Sequence, residues 1–277
     1  DSAQMNSLKS PQIRALTTSQ IAVIPTAVLP RLTTTFISLL TTAQLPSLTT
    51  TQTNLLSTAQ VRSLSQLQLS AMETTDLIAM STAQVGTLTT LQIGGLTTTQ
   101  VSALYLNSRP MTSAQIAGLS TAAIAALTTA QLTTGDTTAF TTAHMQALTS
   151  AQVKALTSAQ LNALYEYQLQ AIDASDISAI GTAVVSAITS DQLRSMNTAQ
   201  IAALRTSQIR SLTTLQVANL AADQVAALVT ADVAALSTAQ VKALTSEQLQ
   251  AMTTSQVKAL TTAGVSLISG DNFAQFT

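Results

Sequence analysis

The sequence contains no cysteine, no tryptophan and one histidine, and only 8% of its 277 residues are charged. Without cysteine there is no disulfide and no thiolate metal site, which fits an oxidising or a reducing compartment equally. The lone His144 has no second imidazole or thiolate with which to share a metal. Aromatic residues are 3%, below what a globular enzyme of this size ordinarily carries. Formal net charge is −1 with no basic block, which argues against nucleic acid and against an anionic membrane surface. No apolar run approaches the eighteen or so residues of a membrane span. Proline is scarce, and all five prolines precede residue 111.

What remains is mostly Thr, Ser, Ala, Leu and Gln in one repeated unit. Residues 148–164 read LTSAQVKALTSAQLNAL, two copies of the octad L-[ST]-[ST]-x-Q-[VIL]-x-A. Numbering the Leu as position 1, Thr149 at position 2 and Gln152 at position 5 form a capping box. Leu148 and Val153 are placed as a hydrophobic staple around it. Each octad thus carries helix-start signals, and the next octad starts another helix. One continuous helix would carry positions 1 and 6 around the whole cylinder and leave no stable apolar face. The expectation is one very short helix per octad.

Charge placement supports that reading. Acids lie at positions 2 to 5, as in Glu73, Asp76, Asp191, Asp232 and Glu247, and only Asp136, in an irregular segment, lies outside. Bases favour position 7, as in Arg14, Arg62, Lys154, Arg194, Arg210, Lys242 and Lys258. This is the polarity a helix dipole rewards, and a strand gives no reason for it. Pro30 and Pro46 fall at position 7, so those two units are expected to be a single turn long.

The octads keep phase from Leu8 to Leu104 and again from Phe140 onward. Phase slips fall at 105–110 (YLNSRP) and at 135–139 (GDTTA). An aromatic variant, YEYQLQAI, occupies 165–172. Position 8 is Ala or Ser from Ala147 to Ala259, apart from Asn219, which implies a close neighbour. Arg194, Arg210, Lys242 and Lys258 share a sixteen-residue grid, which points to two repeats per layer. A lone octad buries too little apolar surface to offset the ordering of eight residues, so the repeats must stack. The fold class expected is an all-α solenoid, 1–277 as one domain, with a β-solenoid as the alternative because threonine is so abundant.

No residue emerges as catalytic, cofactor-binding or metal-ligating. His144 takes the Gln position of its octad and reads as a capping or surface residue. Asp173 and Asp176, three apart, read as a cap and a dipole-favoured acid. Ser and Thr are everywhere but lack a base to make them nucleophiles. No glycine-rich phosphate loop is present. We expect no enzyme activity and no cofactor.

The octad resembles an octapeptide repeat found in large, mostly uncharacterised bacterial secreted or surface proteins, and the resemblance covers nearly the whole chain. It implies an extracellular or cell-surface structural role. The LT-x-x-QV stretch also resembles the opening helix of TAL-effector repeats. The 34-residue period, glycine pair and basic character of that family are missing, so DNA binding is not carried over. Asp1 stands at position 2 and Phe276 at position 1, in phase with the repeat. The expectation is that repeats continue past an end, or that subunit ends meet in register. With apolar Phe273 and Phe276 near one end, the expected partner is the chain itself, in a filament or surface layer. The alternatives are a Thr-rich module that binds ice or carries glycans, and the stalk of a large adhesin.

Overall fold

The computed structural model describes residues 1–106, 111–127 and 140–270, with side chains of the first segment described as far as Leu104. Within them the secondary structure is helical, with no strand, so the architecture is the all-α repeat solenoid and not the β-solenoid. Nearly every octad forms one helix of four to six residues, such as Ser150–Ala155, Thr214–Asn219 and Ser246–Ala251. The two proline-bearing octads form single 3-10 turns, Leu29–Arg31 and Leu45–Ser47, because proline at position 7 removes the amide a longer helix would use.

Two extended residues make each corner. At one of them Leu212 has φ −60° and ψ 139°, and Thr213 has φ −71° and ψ 160°. Position 1 therefore ends one helix and position 2 caps the next. The Thr213 hydroxyl accepts from the Gln216 amide at 3.1 Å, and the Gln216 Oε1 accepts from the Thr213 amide at 2.7 Å. This is the capping box read from the sequence. It persists in half form where the cap side chain makes no cap hydrogen bond. Gln168, Gln208 and Gln224 still accept the amides of Tyr165, Arg205 and Ala221.

Three repeats make a turn. Helices pack on those three octads away: Thr198–Ala202 on Ala222–Ala227, and Ala222–Ala227 on Ser246–Ala251, with starts 24 residues apart. The expectation of two repeats per layer is therefore corrected. Two extended residues per corner turn the chain by about a third of a circle, so three corners complete the turn. The sixteen-residue grid of bases has a different meaning in this geometry. Arg194 and Lys242 lie on one face two turns apart, and Arg210 and Lys258 lie on another.

Positions 1 and 6 fill the interior. Val217, Leu220, Val225, Leu228 and Val233 are all buried, each worth roughly 1.5–3 kcal/mol relative to exposure. Position 8 is partly covered because it abuts position 3 of the preceding turn. A Cβ built on Gly118 would lie 2.8 Å from the Thr90 carbonyl, and one on Gly95 would enter the Gln66 side chain. That is the close neighbour the small residues at position 8 imply. Asparagine and glutamine at position 7 reach the other way. Asn54, Asn162 and Gln170 donate to the carbonyls of Ala79, Ala187 and Ser195, 25 residues on.

The chain forms two compact units, Asp1–Ala139 and Phe140–Thr277, and their boundary falls at the end of the second phase slip. At the first slip the turn closes with one residue fewer. Gln115 donates to carbonyls 27 and 30 residues back, where the full octads give 28 and 31. A seven-residue unit thus replaces an octad without breaking the stack. The slip residues 107–110 and 135–139 themselves lie outside the described residues.

Candidate functional site

The feature shared by most corners is a buried glutamine. In Ala235-Leu236-Ser237-Thr238-Ala239-Gln240, Ala235 closes one helix, Leu236 turns the chain, and Ser237 caps the next helix. Gln240 sits at its third residue. Its Oε1 accepts from the Ser237 amide at 2.8 Å. Its Nε2 donates to the Leu212 carbonyl at 2.7 Å and the Ile209 carbonyl at 3.0 Å, both at the end of a helix in the turn below. A helix leaves unpaired amides at its start and unpaired carbonyls at its end. One carboxamide has a donor and an acceptor, so it satisfies both kinds at once and joins two turns. The same bonds recur at Gln44, Gln60, Gln84, Gln216, Gln248 and Gln256.

This seam is the part that sequence reasoning missed, because the capping box alone accounts for only the oxygen. A signal was available in the octads themselves. Where position 2 becomes Tyr165, Arg205 or Ala221, position 5 stays glutamine, which implies a task beyond reciprocating the cap.

Where position 5 is not glutamine, the corner changes. His144 is half-buried. Its Nδ1 accepts from the Thr141 amide at 3.3 Å, and its ring meets Phe140 edge-on at 5.8 Å. It reproduces the acceptor half of the box. Asp173 occupies an N-cap but its side chain makes no cap hydrogen bond. Asp176 instead accepts from the hydroxyl of Ser150, one turn below. Asp176 thus ties its helix to the turn below, a contact that Asp173 does not share. Among the described residues, no group of three His, Cys, Asp or Glu is placed to hold a metal.

Asp76 and Asp232 are fully buried at position 5. Burial pushes the Asp76 pKa up to about 6, with the neighbouring Glu73 charge adding to the rise. Burial also raises Asp232, opposed by a hydrogen bond from the Thr206 hydroxyl at 2.8 Å. Its other oxygen, Oδ2, is buried with no partner. At the surface, Leu67 and Leu91 stand exposed on successive turns, and Leu91 lines a shallow depression with Gly94, Ala114 and Gly118. Exposed Tyr165 and Tyr167 stack on each other at 5.6 Å.

A family model of the ALTTAQ repeat matches residues 69–105, 130–165, 169–206 and 225–262, together just over half of the chain. The chain belongs to the ALTTAQ repeat family. Six letters of that name span one corner as traced above: the closing Ala, the turning Leu, the cap, two first-turn residues and the seam glutamine. In that pattern the glutamine and the leucine carbonyl are the groups that bond from one turn to the next. A comparison with curated proteins finds no match. No helix among the described residues is long and apolar enough to cross a membrane.

Proposed function

We propose that this ALTTAQ repeat chain is a structural protein that associates with itself, building a filament or layer at a bacterial cell surface or outside the cell. The observation that carries the reading is the glutamine seam. One turn recognises the next through backbone carbonyls and, in most octads, small side chains, features that do not depend on which chain a turn belongs to. Such an interface adds turns without needing a unique partner sequence. Low surface charge reduces the repulsion that keeps proteins apart. The pattern puts its chemistry into stacking, with the carboxamides of the seam glutamines engaged by neighbouring parts of the repeat. Sedimentation velocity across a concentration series, with negative-stain microscopy of the same samples, tests it. Growth into elongated particles or sheets supports the proposal, and concentration-independent monomers sink it.

One observation favours a second reading as a threonine-rich binding surface. Thr182, Thr206, Thr230 and Thr254 begin successive helices of one stack, and all four are exposed. They form a regular hydroxyl row, although Thr206 is partly engaged by Asp232. Thermal hysteresis in an ice-growth assay, lost when Thr182 and Thr254 become valine and lysine, would support this reading over the first.

A further inference from the structure

Asp232 stands in the glutamine column of the second unit, in the helix Thr230–Ala235. By the repeat's own geometry, a glutamine there would donate to carbonyls 28 and 31 residues back, those of Leu204 and Ile201. Gln216, Gln240 and Gln248 do this at their own corners. An ionised carboxylate offers only lone pairs to that position, facing lone pairs below it. Asp232 is 1% exposed, its Oδ1 is taken by Thr206, and its Oδ2 has no partner. At the repeat position where the neighbouring repeats carry a glutamine donor, Asp232 holds a buried carboxyl oxygen with no partner, and protonation both removes the buried charge and gives the group a hydrogen to donate.

We propose that Asp232 is protonated when its seam is closed, with Oδ2–H donating to the Leu204 corner in place of the glutamine amide, and that loss of this proton to water loosens the joint between those two turns. The joint is then closed in acid and loosened as pH rises. Burial shifts the group in the direction this requires. The sign follows from linkage. A carboxyl that holds its proton more tightly when folded adds stability below its unfolded pKa, and that stability is lost as pH rises through the folded one.

The charged groups on the packed elements leave this intact. The helix below, Thr206–Ser211, carries Arg205 at its cap and Arg210 in its last turn. The helix above, Thr254–Ala259, carries Lys258. In the adjoining octads Asp223 and Lys242 stand at the surface. All five side chains are exposed to solvent, where water and salt screen them. The carboxyl's hydrogen bond comes from a neutral hydroxyl.

The test uses the full chain with Asp232→Asn and Asp232→Gln. Carbon-13 NMR of the Asp232 carboxyl in the unsubstituted chain should show it titrating above the ordinary carboxylate value. The unsubstituted chain should lose several degrees of Tm between pH 5 and pH 8 relative to Asp232→Asn. Asp232→Gln should be the most stable of the three at pH 8. An exposed control, Asp223→Asn, should leave the pH profile unchanged. The proposal is overturned if the Asp232 carboxyl titrates at its ordinary value, or if Asp232→Asn and the unsubstituted chain share one Tm profile across that range. These outcomes concern a joint within one chain, so they stand apart from whether the chain forms filaments.

Discussion

Replacing Gln216 with alanine separates capping from stacking. Gln216 is buried, and its Oε1 takes the Thr213 amide at 2.7 Å. Its Nε2 gives to Ile188 at 2.7 Å, to Val185 at 3.1 Å and more weakly to Ser186 at 3.4 Å. Alanine keeps the backbone amide that bonds to the Thr213 hydroxyl and removes all the rest. Three good hydrogen bonds at about 1 kcal/mol net each, with buried partners left stranded, give an expected loss of about 3–5 kcal/mol. Thr213→Ala removes only the other half of the box and should cost about 1 kcal/mol. Gln216→Glu should keep the acceptor but set a carboxylate against carbonyls. It should therefore be as damaging as alanine at neutral pH and recover on acidification. Urea unfolding gives the totals. Because repeat arrays can unfold in parts, native-state hydrogen exchange at the Val217 and Ile188 amides should be read beside it. If Gln216→Ala costs no more than Thr213→Ala, glutamine is only a capping residue and the seam argument fails.

Four further outcomes follow from individual positions. Thr53 sits at a core position with its Oγ1 buried and unpartnered, so Thr53→Val should stabilise the chain by about 1–2 kcal/mol in the same unfolding assay. Gly118→Ala should cost about 1–3 kcal/mol, because the added methyl lies 2.8 Å from the Thr90 carbonyl. Gly86→Ala, with open space around the new Cβ, should instead gain about 0.5–1 kcal/mol. Equal effects would show that turns are looser than described. Asp76 has a folded pKa near 6 against 3.8 unfolded, so its contribution is complete below pH 3.8 and fades as pH rises through 6. Asp76→Asn should flatten the fall in Tm between pH 5 and 7, and an unchanged slope would remove Asp76 as its source.

The sequence by itself determined the local structure. Thr149 and Gln152 mark a helix start, Leu148 and Val153 mark its apolar contact, and the acid-to-base order along each octad gives its direction. These signals act within eight residues, where sequence distance and spatial distance coincide. Even the single turns at Pro30 and Pro46 were legible, because a missing amide is a local fact. The number of repeats per turn was not. It depends on how far each pair of extended corner residues rotates the chain, and that rotation accumulates around a ring. The sixteen-residue grid at Arg194 and Arg210 suits a two-repeat layer, and within a three-repeat turn it places those residues on different faces. Tertiary structure also decided what the glutamine amide does, since its acceptors in Ile188 and Val185 lie a full turn and more away along the chain. The same holds for Asp232. It reads as a dipole-favoured acid in sequence, and only the turn beneath it makes it a buried carboxyl in a donor's place.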